Sequence, residues 1–199
     1  NPDDIVAQYG ADTFRMYEMF LGPVEMSKPW DTKGIEGVHR FLKKFWRLFF
    51  KEETSIEGSK AGWLLTNEQA TEAELKTLHK TIKKIEEDTT RFSFNTAVSQ
   101  FMICVNELSD LQCHKIEILD PLVRLIAPYA PHTAEALWQH LDQAGSVLQA
   151  PFPVFEEKYV VENRKMYPVA INGKARTSLE FALDAPQDFI EATVLKDEV

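Results

Sequence analysis

Thr71-Glu72-Ala73-Glu74-Leu75-Lys76-Thr77-Leu78-His79-Lys80-Thr81-Ile82-Lys83-Lys84-Ile85 is the stretch that decides the fold class. Thr71 and Glu74 have the spacing of a capping box, in which the hydroxyl accepts from a first-turn amide and the carboxylate reaches back to the cap. Leu75, Leu78, Ile82, Ile85 and Phe92 follow at intervals of three, four, three and seven. That is the narrow stripe of a helix packed lengthwise along others. Lys76, Lys80, Lys83 and Lys84 occupy the outer side. The expected class is mainly α, a helical bundle.

Working outward, Ser93 stands as the cap of a second bundle helix, whose Phe94, Ala97, Val98, Phe101, Met102, Val105 and Leu108 recur at three and four. Such a helix belongs at the bundle centre. Asp120-Pro121 either caps a new helix or kinks one begun near Ile116, and Pro131 opens a last one through Trp138 and Leu141, ended near Gly145. Upstream, Asn1, Pro2, Asp3 and Asp4 form a helix start that Gly10 can end, and Asp12 is expected to cap the next helix. Phe14, Met16, Tyr17, Met19, Phe20 and Leu21 leave that helix little polar surface, so burial is expected up to Gly22-Pro23. The segments 24–34 and 52–70 read as loops, with Trp63-Leu64-Leu65 tucked onto the core.

Ile35 to Lys51 is the most amphipathic segment. At about 100° per residue, Ile35, Val38, Phe41, Leu42, Phe45, Leu48 and Phe49 share one face. Arg40, Lys44, Arg47 and Lys51 lie within roughly 60° of one another on the other side. With Lys43 there are five basic residues in this stretch against one acidic residue, Glu36. This reverses the chain average: 22 Lys and Arg against 31 Asp and Glu give a net charge of -9, which repels a polyanion at long range. Any nucleic-acid contact must therefore be local.

After Pro151-Phe152-Pro153 the pattern changes. Tyr167 to Ile171 and Ala175 to Phe181 flank Asn172-Gly173, a strong hairpin signal, and a helix follows from Asp184 and Pro186. This strand-strand-helix unit is small for independent stability, which points to an incomplete domain. With 44% apolar residues in a chain of 199, the rest is ample for a core. No run reaches the roughly 18 apolar residues of a membrane helix, and no export signal is present, so a cytosolic setting without membrane contact is expected. Cys104 and Cys113 lack the spacing of a disulfide framework or metal site and read as reduced core thiols.

Several segments resemble the bacterial-type leucyl-tRNA synthetases, in the family's own order. Asn1 to Val6 with Tyr9 to Arg15 is similar to the class I synthetases for leucine, isoleucine and valine, just after their Lys-Met-Ser-Lys-Ser loop. Gly22 to Glu25 through Trp30, Gly34-Ile35-Glu36-Gly37-Val38-His39-Arg40-Phe41-Leu42 and Trp46-Arg47 narrow the likeness to the leucine enzymes. Ser93 to Val98, Leu125 to His132 with Glu135 and Leu137-Trp138, and Val169 to Arg176 continue it. Phe152 stands where the family often has Trp, and Thr177 where Gly usually follows the Arg.

The resemblance implies the end of a catalytic domain over 1–33, an anticodon-binding helical bundle over 34–150, and a linker with an incomplete α+β tRNA-contacting domain over 151–199. It implies a monomeric partner of leucine tRNA, not of DNA. The full-length enzyme would use ATP and Mg²⁺ to leucylate the tRNA. This stretch holds neither a His-x-Gly-His-type motif nor the Lys-Met-Ser-Lys-Ser loop; Met26-Ser27-Lys28 is a connector. No catalytic residue, metal ligand or cofactor is assigned to it, and it should be inactive alone.

Taken alone, the cationic stripe of the 35–51 helix reads as an ordinary solvated face. With the resemblance, Arg40, Lys43, Lys44, Arg47 and Lys51 become candidate tRNA contacts, each neutralising phosphate. Lys174 and Arg176, beside the hairpin turn, become candidates for the tRNA elbow or long variable arm. Lys76 to Lys84 is left out because Glu72, Glu74, Glu86 and Glu87 flank it. Trp30, Trp46 and Trp138 read as packing residues. The bundle pattern alone also permits a helical protein-binding scaffold, and the first motif alone permits an isoleucine or valine synthetase.

Overall fold

Both halves of the capping box at Thr71 form: the hydroxyl accepts from the Glu74 amide, and the Glu74 carboxylate accepts from the Thr71 amide at 2.6 Å. The computed structural model describes residues 1–27, 31, 34–51, 62–161, 164–171, 174–182 and 185–196. Its contacts fall into two units, Asn1–Tyr159 and Val160–Val199.

Among the described residues the first unit is built of the helices α1 (Pro2–Tyr9), α2 (Ala11–Phe20), α3 (Ile35–Arg47), α4 (Glu72–Thr90), α5 (Phe94–Asp110), α6 (Ile116–Ile126) and α7 (Pro131–His140). Helix α5 is central, packing against α4, α2 and α3, and buries Ala97, Val98, Phe101, Cys104, Val105 and Leu108. The buried face of α3 is the expected one, with Ile35, Val38, Phe41, Leu42 and Phe45 inside. Gly34 is needed where α3 begins, because a Cβ there would stand 2.9 Å from the ring of Tyr17.

Several local expectations are corrected. Helix α3 ends at Arg47, short of Lys51; Phe50 leaves it to form a bridge with Trp63. Of the two readings of Asp120-Pro121, the second holds: Pro121 lies inside α6, which begins at Ile116. Phe92 does not continue the α4 stripe: the helix ends at Thr90, and Phe92, at φ 58°, is 63% exposed against Phe94. Helix α2 buries one side only, with Phe14, Met19, Phe20 and Leu21 half-buried. Asp12 does not cap α2, which starts at Ala11; its carboxylate accepts from the backbone amides of His132 and Thr133, capping α7 across 120 residues. Ser93 holds the cap position of α5 without a side-chain cap bond.

The second unit has antiparallel strands β1 (Arg164–Ile171) and β2 (Lys174–Ala182), then α8 (Gln187–Val194). Ile171 pairs with Lys174; the expected turn residues Asn172-Gly173, like Asp184 and Trp30, lie outside the described residues. Phe181 is buried between Tyr167 and Phe189.

Candidate nucleic-acid interface

The polar face of α3 forms one wall of a groove of about 530 Å³. Arg40, Lys43, Lys44 and Arg47 line it, as do Ser109 at the end of α5 and Gln112 and His114 in the turn to α6. These two walls are some 65 residues apart in sequence, brought together because α3 buries its apolar face against α5.

Two bonds fix the walls. Lys44 Nζ donates to Asn106 Oδ1 of α5 at 2.7 Å. The carbonyl of Leu48, one of the unpaired acceptors at the end of α3, lies 2.7 Å from His114 Nδ1. A carbonyl only accepts, so Nδ1 carries the proton in this bond. Arg40 Nε donates to the carbonyl of Glu36 at 3.3 Å, which leaves the guanidinium tip exposed. Among the described residues no carboxylate pairs with Arg40, Lys43 or Lys44. Lys44 and Arg47 also stand in the last turn of α3, where the helix dipole favours cations.

Lys43 also borders a second groove of about 540 Å³, shared with Asp12, Thr13, His39, Trp46 and His132. There His39 Nδ1 lies 3.3 Å from the Thr13 hydroxyl, and the Tyr9 ring meets it edge-on. Burial, then the nearby Lys43 charge, holds the His39 imidazole below its ordinary range, against a bond to the Tyr9 backbone.

The four α3 cations thus share one groove, whereas Lys51 is exposed beyond it, its amide bonded to the Gly62 carbonyl. Lys174 and Arg176 are exposed on the hairpin of the second unit. Ala170 pairs with Ala175 and Val169 with Thr177, which makes Arg176 the extra residue of a β-bulge. Asn106, Ser109, Gln112 and His114 were missed by sequence reasoning, since none belongs to a charged stripe or motif. Trp138 is buried; Trp46 stacks on Phe50 at 4.9 Å, beside Trp63 and His140. Both cysteines are buried free thiols, each pushed up to about 12 by desolvation. Among the described residues no cluster of three His, Cys, Asp or Glu could hold a metal, and no helix is long and apolar enough to cross a membrane.

Residues 73–192 match the family model of the anticodon-binding domain of tRNA ligase. The chain is 56% identical over 198 residues to the leucine–tRNA ligase of Christiangramia forsetii, which covers 100% of this chain and 20% of that protein. It is 55% identical to that of Flavobacterium johnsoniae, over 99% of this chain and 20% of the relative. The chain therefore spans about a fifth of the length of the curated relatives it matches. In structure it is similar to the Agrobacterium radiobacter K84 agnB2 LeuRS crystallised as a ternary complex with tRNA and LeuAMS. That likeness has a TM-score of 0.69 at 27% identity, covering 98% of this chain and 26% of the other.

Proposed function

The chain belongs to the family of anticodon-binding domains of tRNA ligases, and on that premise we propose that it is the tRNA-docking part of a leucine–tRNA ligase. The leucine assignment is supported by 56% identity running the length of the chain and by likeness to a synthetase crystallised with tRNA. In this reading, residues 1–33 close the catalytic domain, 34–150 form the anticodon-binding bundle, and 151–199 begin a C-terminal tRNA-contacting domain. The working protein is a cytoplasmic monomer, with leucine tRNA and not DNA as its partner. Leucine activation with ATP and Mg²⁺ belongs to the remainder of the enzyme, and this piece alone is inactive.

The observation that carries the reading is the α3 wall, where Arg40, Lys43, Lys44 and Arg47 line a single groove in an otherwise acidic protein. A cationic ridge of this kind docks a folded RNA through its phosphates and shape, each contact releasing counterions. Lys51 extends the ridge past the helix, and Lys174 and Arg176 supply a second contact at the tRNA elbow or variable arm. Titrating leucine tRNA against the chain at increasing salt tests this. Affinity falls linearly with salt on a log-log scale, and Arg40→Ala with Arg47→Ala reduces the slope by about 1.5–2. An unchanged slope removes α3 from the interface.

A further inference from the structure

The two walls of the α3 groove differ in a way that phosphate binding alone does not use. The α3 wall offers only positively charged donors, because guanidinium and ammonium groups have no acceptor. The groove's side-chain acceptors stand on the opposite wall: the Ser109 hydroxyl and the Gln112 amide, which accept as well as donate, beside a His114 ring whose Nδ1 proton is committed to the Leu48 carbonyl. A phosphate only accepts, so it can use the donors of both walls but leaves the acceptors of the second unused. A ribose 2′-hydroxyl, which donates as well as accepts, suits the second.

We propose that this groove seats one ribose-phosphate unit edge-on, with the phosphate on Arg40, Lys43 and Arg47 and the 2′-hydroxyl on the Ser109–Gln112–His114 wall. The inference rests on the proposed RNA-docking role and adds that the site reads the sugar. The volume of about 530 Å³ lies in the range of pockets that take a ligand of nucleotide size. Packing of α3 against α5 sets the separation of the walls, which the exposed Lys44–Asn106 bond spans. A deoxyribose would leave these acceptors facing nothing, and the groove would favour RNA over DNA without touching a base.

The test compares leucine tRNA transcripts carrying ordinary or 2′-fluoro sugars at purines and pyrimidines alike, the latter keeping the A-form sugar pucker but unable to donate. The chain is expected to bind the fluoro transcript about three- to tenfold more weakly, the equivalent of one neutral hydrogen bond. In Gln112→Ala, and in Gln112→Ala with His114→Phe where circular dichroism shows it folded, the penalty should shrink below about twofold while the salt slope stays unchanged. Arg40→Ala with Arg47→Ala should weaken both transcripts alike. Equal binding of the two transcripts with a normal salt slope would overturn the sugar reading and leave the docking role standing. Loss of salt-dependent binding to both would overturn the two together. A full penalty retained in Gln112→Ala, or a penalty seen in this chain but absent from the full-length enzyme, would also overturn it, the latter because protein then covers the groove.

Discussion

Helices α3 and α4 each carry four or more basic residues on their outer faces, yet the structure treats the two sets differently. On α4, Lys84 pairs with Asp88 at 2.7 Å, Lys83 sits over the Phe155 ring, and Lys76 and Lys80 also have partners. On α3, Arg40, Lys43, Lys44 and Arg47 converge on one groove, and the carboxylates nearest in sequence are few. Cation count therefore does not single out a surface; what sets α3 apart is that its four basic residues line one groove, and among the described residues no carboxylate pairs with Arg40, Lys43 or Lys44.

The charge that matters most on α4 points inward. Glu74 is 3% exposed and accepts from Lys115 Nζ at 2.7 Å and from the Thr71 amide and hydroxyl. Burial pushes its carboxyl up, but these bonds and the Cys113 thiol outweigh it and bring it down to about 2. Glu74→Ala should thus be the largest break in the comparison, losing about 2 kcal/mol as the Thr71 capping box is lost and half-buried Lys115 loses its partner. Because the folded value lies below the ordinary 4.5, the contribution is full above that pH and is lost as pH falls toward 2. Acid titration of wild type and variant by circular dichroism reads both.

Next in size is the binding contrast itself. Arg40→Ala with Arg47→Ala should cost leucine tRNA affinity about tenfold or more at low salt, whereas Lys80→Ala with Lys84→Ala should change it less than about twofold. Equal losses in filter binding would erase the distinction between the helices.

A smaller effect concerns the segment 153–159, which lies across α4. There His79 Nδ1 accepts from the Glu156 amide at 3.1 Å, and the ring stacks on Tyr159. Burial holds this imidazole below its ordinary range; the facing Glu156 opposes that and Lys158 adds to it, with Lys83 over the neighbouring Phe155. The folded state favours neutral His79, so the contact is complete above the ordinary histidine range and weakens as pH falls through it. Amide exchange at Glu156 should accelerate over that window, and His79→Phe should remove the pH dependence. The smallest effect is Lys84→Ala, worth about 1 kcal/mol in thermal unfolding, because its partner Asp88 is buried but keeps the bond from the Thr96 hydroxyl.

Much of this was legible in the chain. The capping box, the α3 face, the helix at the bundle centre and the hairpin strands all follow from local rules, which act over a few residues and leave a periodic trace. The misreadings share one cause. Asp12 looks like a local cap but serves α7, and Phe92 fits the stripe spacing but falls past the helix end, because in each case the partner is set by packing.

The sequence by itself determined the helices, their buried faces and a basic stripe against an acidic background, since hydrophobic periodicity and charge are properties of neighbouring residues. Only the tertiary structure decided that Ser109, Gln112 and His114 stand opposite that stripe, and that Lys83 of α4 lies over Phe155. Such pairings are distances between segments far apart in the chain, and no local pattern encodes a distance that only close packing of the core imposes.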